Sequence, residues 1–148
     1  MREKIVTILN QIALILEIKG ENAFKIRAYK NGSEIIENYG DDIIQITKDG
    51  KLGKLKGIGK ALASKIEEIV ETGKLTYLDE LKLEFPDTFF DLFEISNLGP
   101  KKIKKLYDNL QIDSIDKLEA SCKNNEISKI SGFGKKSVEA ILESISFR

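Results

Sequence analysis

Apolar residues recur along most of the chain at the three- and four-residue spacing of an amphipathic helix. A first helix is predicted from Lys4 to Ile18, and Gly20 follows it as a stop signal. A second is predicted from Asn22 to Gly40, although Gly32 inside it disfavours an unbroken rod. A short third helix is predicted over residues 41–46. No stretch alternates apolar and polar residues over strand length between turn signals, so the pattern predicts an all-α protein.

An internal repeat organises the rest of the chain. Three segments align: LKGIGKALASKIEEIV, ISNLGPKKIKKLYDNL and ISGFGKKSVEAILESI, beginning at Leu55, Ile95 and Ile130. Each has an aliphatic residue four positions before a shared glycine, and an apolar residue directly before that glycine. Each also has apolar residues four and seven positions after it, which gives one buried helical face. We predict two small helical subdomains, residues 1–78 with the first module and residues 79–148 with the other two.

Composition excludes several classes of site. Hydrophobic residues make up 41% and charged residues 32% of the 148 positions, which is typical of a folded protein. The absence of histidine rules out a Ser-His-Asp triad and histidine metal ligands, and the single Cys122 rules out a disulfide framework. With no apolar run of membrane-spanning length and no leader-like N-terminus, we predict a cytoplasmic protein without membrane contact.

The charge distribution is more informative than the net charge. The 24 basic and 24 acidic side chains cancel, which by itself disfavours a nucleic-acid-binding protein. However, residues 51–66 contain five lysines and no acid, and residues 99–107 contain four lysines and no acid. Such local basic patches are what a phosphate backbone would meet.

The repeated segments have a chemistry that fits these patches. Two glycines around an apolar residue, between two helices, predict a tight hairpin whose second helix presents unpaired N–H groups to a phosphate. Lysines after the hairpin add charge without base specificity. The alternative is a helix-packing unit with a glycine cap and solvated lysines. The predicted DNA-binding residues of the three hairpins are Gly57, Gly59, Lys60, Gly99, Lys101, Lys102, Gly132, Gly134, Lys135 and Lys136.

These segments resemble the helix-hairpin-helix motif of DNA repair and replication proteins. ENAFKIRAYKNGSEII followed by LKGIGKALASKIEEIVETGKL looks like the N-terminal domain of family X DNA polymerases. ISNLGPKK with LYDNLQIDSIDKLEA looks like the subdomain that follows, and ISGFGKKS like the extension of bacterial and archaeal members. The resemblance covers nearly all of the chain. It implies a non-sequence-specific, nucleoid-associated protein that grips gapped or nicked DNA through backbone phosphates.

The resemblance also implies a 5′-phosphate pocket formed by Lys25, Tyr29, Lys60 and Lys65. In that family a lysine at the position of Lys65 removes 5′-deoxyribose phosphate through a Schiff base, so a lyase activity is an alternative function. The sequence departs from a familiar member of the family at Phe24, where that member has histidine, and at Ala61, where it has a pocket lysine for which the adjacent Lys60 could substitute. A surface lysine without chemistry is the other interpretation of Lys65, since Lys105 occupies the equivalent slot of the second repeat.

No cofactor is required by these motifs, but the resemblance implies a Na⁺ or K⁺ ion at the hairpins. Its ligands would be the backbone carbonyls of Gly53, Leu55 and Ile58, and of Phe93, Ile95 and Leu98. The chain has no Asp-x-Asp pair and no predicted palm strands, so we expect no nucleotidyl transfer from it alone. It is either the N-terminal part of a longer enzyme with a palm domain or a stand-alone protein. A protein-interaction scaffold remains a third function, and the oligomeric state is left open.

Overall fold

The computed structural model describes the whole chain, Met1–Arg148, and it consists of helices without any strand. The predicted all-α class is confirmed. Eight α-helices are joined by turns and by three 3-10 helices, at Leu52–Lys54, Asp87–Glu94 and Ile127–Lys129. The α-helices are α1 (Arg2–Lys19), α2 (Ala23–Asn38), α3 (Ile43–Lys48), α4 (Lys60–Thr72), α5 (Thr76–Lys82), α6 (Pro100–Leu110), α7 (Ile115–Lys123) and α8 (Lys135–Ser146).

The chain divides into two compact units, Met1–Leu81 and Lys82–Arg148. The first unit contains α1 to α4 with most of α5, and the second contains α6 to α8. The sequence places its division between residues 78 and 79, which also falls within α5. The first hairpin (residues 55–59) lies in the first unit, and the second (95–99) and third (130–134) lie in the second.

Helix α1 supplies much of the core of the first unit. Its apolar stripe is buried because α2 packs along it, and Gly20 ends it in the left-handed conformation (φ 75°). The buried positions of α1 are Ile5, Ile8, Leu9, Ile12, Ala13, Ile15, Leu16 and Ile18.

Helix α2 is continuous through Gly32, where the sequence disfavoured an unbroken rod. It begins after Asn22, whose side chain accepts a hydrogen bond from the Phe24 N–H at 2.7 Å. Gly32 is buried, and a Cβ atom there would collide with the Leu62 side chain of α4. The glycine therefore allows α4 to approach α2 closely and does not interrupt the helix.

Aromatic residues form the centre of the second unit. The 3-10 helix Asp87–Glu94 buries Phe89 and Leu92 completely. The Phe89 ring stacks on Phe85 at 4.6 Å between centroids and meets the edge of Tyr107 on α6 at 5.3 Å. Such edge and offset contacts suit the quadrupoles of the rings, so this cluster anchors α6 to the start of the unit.

The three hairpins share one backbone geometry. The residue at the first glycine position is left-handed in each, with φ values of 95°, 67° and 93° at Gly57, Asn97 and Gly132. One backbone hydrogen bond closes each turn, from the N–H of residue 58, 98 or 133 to the carbonyl three positions earlier, at 3.0, 3.3 and 3.1 Å. Asparagine tolerates the left-handed region, which explains how the second turn survives without glycine there.

The apolar residue inside each hairpin holds the turn in the core. Ile58, Leu98 and Phe133 are at most 5% exposed. The helix after each turn continues the buried face with Ile66, Leu106 or Ile141, again almost fully buried. The spacing in the sequence thus corresponds to one packing unit used three times.

We predict that Gly57→Ala lowers the free energy of unfolding by about 1–2 kcal/mol, the cost of a left-handed conformation for a residue with a Cβ atom. The new Cβ would also collide with Ile35 of α2. Gly53→Ala is the matched control, since a Cβ there meets no atom within 4 Å. Denaturant unfolding of both variants checks this. Equal stability of the two would contradict the geometry of the turn.

Candidate nucleic-acid interface

Helices α4, α6 and α8 begin in the same way, after a glycine. Gly59, Gly99 and Gly134 are the N-cap residues, with φ between −77° and −82° and ψ between 171° and 178°. No side chain accepts a hydrogen bond at any of these three caps. By contrast, Asn22, Asp42 and Ser114 cap α2, α3 and α7 with their side chains.

Open caps leave backbone donors available. The first helical hydrogen bonds of α4, α6 and α8 come from the N–H groups of Ala63, Ile103 and Val138 to the cap glycines, at 2.9, 3.0 and 3.1 Å. The N–H groups of residues 60–62, 101–102 and 135–137 therefore have no partner in the helix, and Pro100 has no N–H to satisfy. Free N–H groups at the positive end of the helix dipole form a site for an anion.

Four predicted lysines lie at these helix starts with their side chains in solvent: Lys60, Lys101, Lys135 and Lys136. Lys102 differs from them. Its ammonium nitrogen is 3.4 Å from the Asn97 carbonyl oxygen and 5.8 Å from the centre of the Phe133 ring, so it also links the second and third hairpins.

Two further contacts join the second and third hairpins. Lys105 donates from its ammonium group to the Ser131 carbonyl at 3.1 Å. The Ser96 N–H donates to the Ser144 hydroxyl oxygen on α8 at 2.9 Å. Lys105, at the position in the second repeat that corresponds to Lys65, thus forms a structural contact with the third hairpin. The sequence did not indicate this contact.

A pocket of about 490 Å³ lies beside Lys65 in the first unit. The Lys65 ammonium nitrogen is 5.2 Å from the centre of the Tyr77 ring, and that of Lys25 is 5.8 Å from the same ring. The Tyr29 ring lies 6.2 Å from the Tyr77 ring at an interplanar angle of 21°. Of the four residues predicted for this pocket, Lys65 lines it, and Lys25, Tyr29 and Lys60 do not. The lining residues are Ala61, Ser64, Lys65, Glu68, Leu75, Thr76, Tyr77 and Glu80.

Glu68 is the acidic residue of α4 that lines the pocket. Its carboxylate accepts hydrogen bonds from the Thr76 N–H at 2.7 Å and the Thr76 hydroxyl at 2.9 Å. These two bonds, with a smaller contribution from the Lys65 charge, hold the pKa of Glu68 below its usual value. The carboxylate is therefore ionised and engaged by α5, which fixes the start of α5 against α4.

Tyr29 is buried, with 7% of its surface exposed. Burial, with a smaller contribution from Tyr77, raises the pKa of Tyr29 to about 12. The phenol therefore stays protonated at pH values at which an exposed tyrosine would ionise.

The sequence missed Tyr77, Thr76 and Glu68 as members of this site. The proximity of Glu68 to Lys65 could have been predicted from the sequence, because residues three apart on one helix share a face. Tyr77 lies on a different helix, which follows the left-handed Gly73 (φ 77°) at the end of α4. Helical periodicity carries no information about how two helices meet.

No group of three or more cysteine, aspartate or glutamate side chains is placed to hold a metal ion, and the chain has no histidine. No helix is both long and apolar enough to cross a membrane.

Similarity to known proteins agrees with this geometry. A family model described as a helix-hairpin-helix domain matches residues 2–75, and one described as a SAM-like helix-hairpin-helix tandem matches residues 89–146. The chain belongs to the helix-hairpin-helix family. This helix-hairpin-helix chain is 33% identical to the DNA polymerase/3′-5′ exonuclease PolX of Bacillus subtilis (strain 168) over 144 residues. The aligned segment covers 97% of this chain and 25% of that protein.

A second relative is the DNA polymerase lambda of Arabidopsis thaliana, 31% identical over 109 residues, or 73% of this chain and 20% of that protein. The helix-hairpin-helix chain thus spans a quarter or less of the curated relatives it matches. The resemblance to the N-terminal region of family X DNA polymerases is confirmed. The helix-hairpin-helix matches and this relationship support DNA binding by a polymerase X-like protein.

We predict that Tyr29 contributes stability that is present below pH 10 and is lost as the pH rises toward 12. In that window the unfolded chain releases the phenolic proton while the folded chain keeps it, so deprotonation favours unfolding. Denaturant unfolding of the wild type and Tyr29→Phe across this range measures the contribution. The stability difference between the two proteins should shift in favour of Tyr29→Phe as the pH rises, whereas a constant difference would contradict the raised pKa.

Proposed function

We propose that this chain binds DNA without sequence preference, gripping backbone phosphates with its three hairpins, and that the Lys65 pocket receives the 5′-phosphate of a gap or nick. The observation that carries the proposal is the uncapped helix start, present three times with the same backbone geometry. One such start is common in proteins. Three of them beside exposed lysines favour a phosphate ligand.

The cap glycines support this proposal because the fold does not require them. Their φ values are accessible to any residue, and a Cβ atom at Gly59, Gly99 or Gly134 would meet no atom within 4 Å. Serine, asparagine or aspartate would cap these helices better, but their side chains would occupy the N–H groups. Glycine keeps the donors open and lets another molecule approach the backbone closely.

Contacts of this kind do not distinguish one base from another. Backbone N–H groups and lysine ammonium groups bind phosphate oxygens, which every nucleotide presents. The affinity should therefore depend steeply on salt and weakly on sequence. The zero net charge is no obstacle, since the basic groups gather at the hairpins.

We predict that Gly134→Ser weakens DNA binding roughly fivefold or more at moderate salt, because the serine hydroxyl competes with phosphate for the N–H groups of α8. The same change should leave the free energy of unfolding unchanged or raise it by a few tenths of a kcal/mol, since serine is a good N-cap residue. Fluorescence anisotropy with a labelled duplex and denaturant unfolding measure the two effects.

The matched control for this prediction is Ser114→Gly, which opens the cap of α7. It should lower stability slightly and leave DNA affinity unchanged, because α7 is outside the hairpins. Unchanged affinity in Gly134→Ser would contradict the phosphate grip. Failure of the wild type to bind any DNA at low salt would favour the protein-interaction scaffold instead.

A second candidate function is a 5′-deoxyribose phosphate lyase that uses Lys65. The half-buried position of this lysine at the wall of the pocket favours it, as does the engagement of the neighbouring Glu68 carboxylate by Thr76. The amine would attack the C1′ aldehyde and release water to form a Schiff base. Transfer of a C2′ proton to water and cleavage of the C3′–O bond would then release the DNA strand with its 5′-phosphate, and hydrolysis of the remaining Schiff base would return the free lysine.

We predict that borohydride traps a covalent adduct between the wild type and pre-incised abasic DNA, and that Lys65→Arg abolishes it. Arginine keeps the positive charge but cannot form the Schiff base. Lys105→Arg, in the equivalent slot of the second repeat, is the control and should retain the adduct. Denaturing electrophoresis of labelled DNA reads the result. An adduct of undiminished yield in Lys65→Arg would overturn the lyase proposal.

We also propose that Na⁺ or K⁺ binds at the first two hairpins, through the carbonyls of residues 53, 55 and 58 and of residues 93, 95 and 98. Neutral carbonyl oxygens suit a monovalent cation. The carbonyls of Leu55 and Ile95 already accept the hydrogen bonds that close their turns, and each keeps a second lone pair. We propose separately that the chain forms part of a longer protein that contains a polymerase palm domain.

A further inference from the structure

Two lysines from different helices meet at one aromatic ring in the first unit. Lys25 lies on α2 and Lys65 on α4, and both ammonium nitrogens are within 6 Å of the centre of the Tyr77 ring on α5, at 5.8 and 5.2 Å. This distance is the range in which the electron-rich face of an aromatic ring attracts a cation. Neither lysine forms a salt bridge. The Glu68 carboxylate interacts electrostatically with Lys65, and the Tyr77 ring is the group that both lysines contact.

Two like charges near one point repel each other and would separate if nothing attracted both. Their long side chains have many rotamers, so without a partner each ammonium group would spread over a wide volume of solvent. Attraction of both ammonium groups to one aromatic ring offsets part of the repulsion and reduces the number of rotamers. A phosphomonoester dianion that reaches this ring would then meet two cations whose positions are already restricted.

The ring itself is held by contacts on two sides. The buried Tyr29 stacks near it, with centroids 6.2 Å apart. The preceding residue, Thr76, is fixed by its two hydrogen bonds to the Glu68 carboxylate at 2.7 and 2.9 Å. Tyr77 is therefore anchored to both helices that carry the lysines, α2 through Tyr29 and α4 through Glu68.

We propose that Tyr77 is a positioning residue for the 5′-phosphate pocket: its ring holds the ammonium groups of Lys25 and Lys65 together as one phosphate-binding pair. The inference rests on the proposed binding of a 5′-phosphate in this pocket. Tyr77 acts through the two lysines and needs no contact with DNA. Its aromatic ring, and not its hydroxyl group, carries the function.

The test uses gapped DNA with and without a 5′-phosphate, and the ratio of the two affinities is the readout. Tyr77→Leu should lower this ratio by roughly five- to twentyfold, because two cation–ring contacts are lost. Tyr77→Phe keeps the ring and should retain the wild-type ratio. Affinity for the gap without the phosphate should be the same in all three proteins, since the hairpins are unchanged.

A control separates positioning from folding. Tyr39→Leu removes a half-buried tyrosine of the same unit and should retain the ratio. In the free proteins, the Hε signals of Lys25 and Lys65 should show upfield ring-current shifts in the wild type and in Tyr77→Phe, and lose them in Tyr77→Leu. Amide spectra and thermal unfolding show whether Tyr77→Leu is folded, and Tyr77→Met is a second variant of similar volume if it is not.

The outcomes distinguish the two proposals. No preference of the wild type for the 5′-phosphate would overturn the pocket of the proposed function. A wild-type preference that Tyr77→Leu retains would overturn the positioning role and leave the proposed function standing. Equal loss in Tyr77→Phe and Tyr77→Leu would also overturn it, since the ring would then be irrelevant.

Discussion

The first N–H groups of a helix need an acceptor, and in the three helices that follow a hairpin, α4, α6 and α8, no side chain supplies one. A left-handed residue closes each hairpin, a buried apolar residue holds the turn in the core, and a cap glycine leaves the donors open. Side chains cap α2, α3 and α7, whereas α1, which starts after Met1, also lacks a side-chain cap. Each hairpin thus joins a turn held by a buried side chain to a helix start with free N–H donors, an arrangement suited to an anion.

The three hairpins share this geometry but differ in what surrounds it. In the second unit, Lys102 and Lys105 contact neighbouring turns and tie the second and third hairpins together. In the first unit the lysine in the slot of Lys105 is Lys65, which faces a pocket and the Tyr77 ring. The same position in the repeat thus has a structural contact in one copy and an open pocket in the other. This difference is the physical reason to seek chemistry in the first unit alone.

Much of the fold could be predicted because its signals are local. The stop at Gly20, the cap at Asn22, the left-handed turn residues and the repeated apolar face depend on residues within a few positions of each other. Gly32 shows the limit of such signals. Its low helix propensity disfavoured a continuous α2, but its real role is the close approach of Leu62 from another helix. Propensity describes the isolated segment, and packing against α4 outweighed it.

For the candidate site, the sequence by itself determined which residues start the helices after the hairpins and which lysines lie there, since these follow from spacing along one segment. Three contacts became apparent only in the tertiary structure. Tyr77 contacts Lys25 and Lys65, Glu68 accepts hydrogen bonds from Thr76, and the Lys102 ammonium group lies near the Phe133 ring. The physical reason is that periodicity reports neighbours on one helix, three or four residues apart. Contacts between helices depend on the directions that the turns give to the chain. They also depend on attraction between side chains that these turns bring close together.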